Sequence, residues 1–178
     1  MSRYNKENIT KIIETAKTIP DNILTILSVL RDSDIRLNEA LSLDKGCMKD
    51  SEETYYLYYQ SRKDLKLNGL KTNSKDIVVN ISRETFELLT KQKNETDKMY
   101  PLNKYLFGTD DNKNYSNIKF MIDIKKLLKS NNMEDIQISN MRNHLVNSGS
   151  CQSECTHEIP EDCILCKNYI IDTDKLPI

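Results

Sequence analysis

The sequence predicts a mainly α protein with a minor β element (α+β): a helical body closed by a small C-terminal zinc-binding module. Three observations carry this expectation. Apolar residues recur at helical spacing through the N-terminal third, one short β-branched run alternates between two faces, and most of the cysteine is gathered near the C-terminus. Charged residues make up 30% of the chain and hydrophobic residues 38%, which suits a folded protein with a thin core rather than a disordered one. At 178 residues the chain has room for one domain and a small appended module. The predicted division is a helical body over residues 1–143, with a strand near 76–81, and a cysteine-rich tail over 144–178.

Ile9, Ile12, Ile13 and Ala16 make the stripe of a first helix from about Lys6 to Lys17. Pro20 stands where a helix start tolerates it, and Ile23, Ile26, Leu27 and Leu30 continue as a second stripe. Asp32 or Ser33 is placed to cap a third short helix carrying Ile35, Leu37, Ala40 and Leu41, with Gly46 as its stop. Asp50-Ser-Glu-Glu53 resembles a capping box, so a fourth helix is expected through the tyrosine-rich run that follows. On that helix Tyr55, Tyr59 and Arg62 would share one face, and Tyr56 and Lys63 the next. Asp76–Ile81 is the clearest strand, and Ser82 is set to cap a helix through Leu89. Residues 91–116 read as loop. Over 118–128 strand alternation competes with helical spacing, and Asn132 could cap a last helix ending at Gly149.

The chemistry is most concentrated at Cys151, Cys155, His157, Cys163 and Cys166. Two close cysteine pairs can each supply one bite of a tetrahedral site, which predicts a structural zinc, with His157 as the alternative ligand. An iron–sulfur cluster is the second option for four thiolates. Glu154, Glu158, Glu161 and Asp162 surround these ligands, so the tail does not suit a phosphate-gripping surface. Cys47 lies about a hundred residues away and is expected to be a lone thiol.

The formal net charge of −1 gives no global pull towards nucleic acid. Local runs differ. Residues 62–75 carry Arg62, Lys63, Lys66, Lys71 and Lys75 against Asp64, and Lys119, Lys125, Lys126 and Lys129 cluster further on. Tyrosines beside such cations are the chemistry of base stacking with phosphate contacts. A nucleic-acid-binding face built from Tyr55, Tyr59, Arg62, Lys63, Lys66 and the 113–129 lysines is therefore the second functional reading.

No P-loop, dinucleotide fingerprint, G-x-S-x-G or H-E-x-x-H pattern is present. The first reading is accordingly a non-enzymatic binding protein, a zinc-stabilised component of a larger assembly with a protein partner. A zinc or iron–sulfur enzyme comes third. The N-terminus has no apolar signal core, and no stretch nears the ~18 apolar residues of a spanning helix. An intracellular, cytoplasmic or nuclear protein without a membrane partner is expected, in a compartment that favours metal over disulfide.

Overall fold

In the computed structural model, residues 4–61, 75–110, 112–138, 149–151 and 169–171 are described. The elements are α1 (Lys6–Thr15), α2 (Asp21–Asp32), α3 (Leu37–Leu41), β1 (Met48–Ser51), β2 (Thr54–Ser61), β3 (Lys75–Ile81), α4 (Arg83–Met99), α5 (Asn117–Ser130), β4 (Gly149–Cys151) and β5 (Tyr169–Ile171). The chain divides into two compact units, one formed by Pro20–Asn117, the other by Met1–Ile19 with Ile118–Ile178.

Pro20–Asn117 holds an antiparallel sheet of order β1-β2-β3 with α2, α3 and α4. The tyrosine-rich run is β2 and not a helix, which corrects the prediction. Ser51 pairs with Thr54, so Glu52 and Glu53 alone turn the chain, with φ of 46° and 66°. Two consecutive left-handed residues give the twist that suits a two-residue hairpin, at a cost because neither is glycine. The acidic residues read as a helix cap are this turn. Along β2 the burial has period two: Leu57 is fully buried and faces Val79, whereas Tyr58 faces Val78 and is exposed. β-branched and aromatic side chains favour that pleated surface, and their adjacency prevents one helical stripe.

α4 begins at Ser82, whose hydroxyl accepts from Thr85 N–H at 3.2 Å, and runs ten residues past the predicted end at Leu89. Its buried face is Thr85, Leu89 and Thr96, two of them polar, so counting apolar residues stops short. Thr96 is satisfied where it is buried, donating to the Leu106 carbonyl at 2.7 Å. The loop after α4 is organised by buried Asn103, whose amide donates to the carbonyls of Asp110 and Lys113 and whose oxygen accepts from Tyr105 N–H. Gly108 sits against that amide. A Cβ there would lie 2.5 Å from Asn103 Nδ2, which explains the glycine.

In the other unit, α1 is capped by Asn5, which accepts from Asn8 N–H at 3.0 Å. Asn8 in turn donates to the Gln137 carbonyl and Asn5 N–H to that of Ile138. α5 is helical throughout, burying Phe120, Met121, Ile124, Leu127 and Leu128, a spacing that only a helix places on one face. Asn132 does not start a helix. With φ of 54° it ends α5, where Met133 N–H reaches Leu128 O and Asn132 N–H reaches Lys129 O.

The architecture is thus α+β with a three-stranded sheet beside its helices, and the predicted helical body closed by a zinc module is corrected. No zinc module is seen among the described residues, and no group of three or more metal-binding side chains occurs among them. No described helix is long and apolar enough to cross a membrane.

Candidate nucleic-acid interface

A protein that grips phosphate needs cations that its own carboxylates have not already engaged. Among the described residues of Pro20–Asn117, several cations are engaged. Arg31 bonds Asp32 at 2.9 Å and Glu84 at 3.2 Å, Lys45 bonds Asp97 at 2.7 Å, Arg83 bonds Glu87 at 2.8 Å and Lys91 bonds Asp21 at 2.7 Å. Arg36 differs. Its guanidinium has no carboxylate partner among the described residues, although the side chain is half-buried. Partial desolvation makes a nearby anion favourable to such a charge, and guanidinium is suited to phosphate because its planar fork meets two oxygens at once.

The backbone at Arg36 is tightly specified. Ile35 and Leu37 on either side are buried at 0% and 4% exposure, and Arg36 N–H donates to the Glu39 carboxylate at 3.0 Å. Ahead of it, Ser33 closes α2 through its N–H and its hydroxyl, both to the Val29 carbonyl. Asp32 then ties the end of α2 to the start of α4, accepting from Ser82 N–H at 2.8 Å, Ser82 Oγ–H at 2.6 Å and Arg31 Nε. Burial pushes the Asp32 carboxyl up, but hydrogen bonds from Ser82, Thr85 and Arg31 outweigh it and hold the group below the usual carboxylate range.

Sequence reasoning missed Arg36, yet a signal existed. The chain uses 20 lysines and 6 arginines, so an arginine set between two apolar residues stands out against that bias. Lysine would serve if only a surface charge were wanted; a fork is wanted where geometry matters.

Of the tyrosines assigned to nucleic acid, Tyr55 and Tyr59 lie on the same face of β2 as buried Leu57. The Tyr55 ring centroid is 4.8 Å from that of Phe86, a contact that serves packing. No helix face joins either to Arg62. Arg62, Lys63 and Lys66 lie outside the described residues, on the sequence that joins β2 to β3. The α5 lysines are described. Lys119 pairs with Asp123 at 2.6 Å, while Lys125, Lys126 and Lys129 are exposed, and Lys119, Lys126 and Lys129 follow one another at helical spacing.

Cys155, His157, Cys163 and Cys166 lie outside the described residues, and of Cys151 only the strand pairing with Tyr169 is described. Cys47 is 5% exposed, and burial pushes its thiol up to about 12, so it stays protonated and inert at neutral pH. It lines an open cleft of about 590 Å³ whose charged walls include Asp44 and Asp76 beside Lys104, a balance unsuited to phosphate.

Comparison with known proteins gives this arrangement a context. The phage integrase family profile matches residues 2–153. Transposase B from transposon PsiTn554 of Staphylococcus aureus is 25% identical over 119 residues, which is 66% of this chain and 17% of that protein. Transposase B from transposon Tn554 of the same species matches at the same identity and coverage. Among solved structures, the XerH site-specific recombinase bound to difH substrate in a pre-cleavage complex superposes with a TM-score of 0.57 at 16% identity, covering 75% of this chain and 37% of that one. Its post-cleavage complex with palindromic difH gives the same score. The chain therefore spans about a sixth of the transposases and over a third of the recombinase. These matches overturn the reading of a non-enzymatic, zinc-stabilised, protein-binding factor. The cysteine cluster drew that reading because it is the densest chemistry in the sequence, whereas the matched fold is the helices and sheet.

Proposed function

Because the chain belongs to the phage integrase family, we propose that it binds duplex DNA and serves in breaking and rejoining its strands, with Arg36 on the reacting phosphate. The single observation that carries this reading is the family match from residue 2 to residue 153, which takes in the whole of Pro20–Asn117. The Arg36 guanidinium, without a carboxylate among the described residues of that unit, supports it.

The chemistry follows from the bond. When an oxygen attacks phosphorus, negative charge gathers on the non-bridging oxygens, and a fixed guanidinium stabilises that charge more than it does the ground state. Rejoining a strand without an energy source requires the broken bond to be held as a protein–DNA ester. A side-chain hydroxyl bonds to phosphorus, the P–O bond to one strand end breaks, and the hydroxyl's proton passes to the leaving oxygen, which departs as a strand-end hydroxyl. The second strand end then reverses the step. The basic stretch 62–75 and, in the other unit, the exposed α5 lysines each carry the charge for sequence-independent contacts to the DNA backbone. DNA is the partner in this reading, the nucleic acid that stood as the second expectation from the sequence, after a protein partner.

The test is to incubate the chain with a supercoiled plasmid library carrying random inserts, denature, and recover DNA that remains joined to protein. Adducts at a shared sequence are expected. Their absence at every protein concentration, with DNA binding intact, would overturn strand breakage; absence of salt-dependent binding would overturn the whole reading.

A further inference from the structure

We propose that Asp32 is a positioning residue for Arg36, fixing the segment that carries the phosphate-contacting guanidinium by locking the end of α2 to the start of α4. The proposal deepens the function given above and rests on Arg36 meeting phosphate. Asp32 is the last residue of α2, and only three residues separate it from Arg36. Its side chain is 11% exposed, and both of its oxygens are used: Oδ1 by Arg31, Oδ2 twice by Ser82. Ser82 is also the residue between β3 and α4. One carboxylate thus fixes the exit of α2, the exit of β3 and the entry of α4 at a single point.

Two chain segments leave that point. One is the short run through buried Ser33 and Ile35 to Arg36. The other is β3, which leads back to Lys75 and the basic stretch joined to it. A guanidinium must sit within a fraction of an ångström to favour a transition state over a ground state, and it holds that place only if its supports are fixed. α2 ends at Asp32, with three residues between it and the Arg36 backbone, and this last residue is held in place while it keeps its three bonds. Arg31 completes the lock from the other side by bridging Asp32 and Glu84. Other ion pairs of α4 do not reach this segment. Lys45 to Asp97 joins the far end of the helix and makes a natural control.

The experiment compares Asp32→Asn, Ser82→Thr and Lys45→Met in the full chain, with two readouts. In the first, inorganic phosphate is titrated while the Arg36 Nε–H resonance is followed. Phosphate should shift this resonance in wild type, Asp32→Asn should weaken the response about fivefold or more, and Ser82→Thr and Lys45→Met should leave it within about twofold. In the second, covalent adduct formation is timed at saturating DNA on the sequence recovered from the plasmid library. Asp32→Asn should slow it about tenfold with unchanged DNA affinity, a split that loss of stability alone does not produce. An Arg36 resonance unmoved by Asp32→Asn, or one moved equally by Lys45→Met, would overturn the positioning role. Wild type that binds phosphate at Arg36 but never forms an adduct would instead sink strand breakage while leaving the positioning role standing.

Discussion

Arg31 and Arg36 lie five residues apart in sequence and do opposite things. Arg31 is engaged on both sides, by Asp32 and Glu84, at 17% side-chain exposure, and its charge serves the fold. Arg36 is held by its backbone, between two buried neighbours and through its N–H to Glu39, while its guanidinium meets no described carboxylate. The difference teaches how to separate structural from functional cations in a charged chain. A cation paired on arrival contributes stability, whereas one whose backbone is fixed and whose head is left without a partner is set for a ligand.

The comparison breaks most sharply under Arg36→Ala. Covalent adduct formation at saturating DNA should fall at least about a hundredfold, with the urea midpoint of unfolding little changed. Arg31→Ala should do the reverse and lower stability by about 1–3 kcal/mol in urea titration, because it leaves the Asp32 carboxylate largely buried without its cation.

A pH series sharpens the same contrast. The Asp32 carboxyl is held below its unfolded value, so its contribution is complete above about pH 4, the unfolded carboxylate range, and is lost as pH falls through the lower folded value. The stability gap between wild type and Asp32→Asn, measured by urea unfolding, should therefore be constant near neutrality and close under acid. Arg36→Ala should shadow the wild type across the whole range. The smallest effect lies far from both arginines in function. Replacing Glu52-Glu53 by Asn-Gly removes two strained left-handed residues and should raise stability by about 0.5–1 kcal/mol without touching adduct formation.

Much of the frame was legible in the sequence. Ile9 and Ile12, Ile23 to Leu30, the cap at Ser82 and the run Asp76–Ile81 speak through local rules, and those stretches fold as α1, α2, the start of α4 and β3. The rest depended on contacts between distant residues. Glu52 and Glu53 look like a helix cap unless β1 and β2 are known to pair. The second half of α4 buries Thr96, which answers to the Leu106 carbonyl and not to periodicity. Asn132 works equally as a start or a stop until Met133 N–H is seen to reach back to Leu128.

The candidate site was the least legible part. Residues 151–166 carry the most reactive side chains in the sequence, and density of chemistry drew the functional reading there. Arg36 carries its signal in what surrounds it. Only the structure places Asp32 on Ser82, Arg31 on Glu84 and Glu39 on the Arg36 backbone, leaving the Arg36 guanidinium without a carboxylate among the described residues.

The proposed action on DNA strands through the Arg36 fork is tested most directly by setting wild type beside Arg36→Lys on DNA from the plasmid library. Lysine keeps the charge and loses the bidentate geometry. The account predicts a denaturation-resistant protein–DNA adduct with wild type and at least a tenfold slower one with lysine at equal DNA occupancy. An adduct formed equally well by both proteins, or by neither, would contradict it.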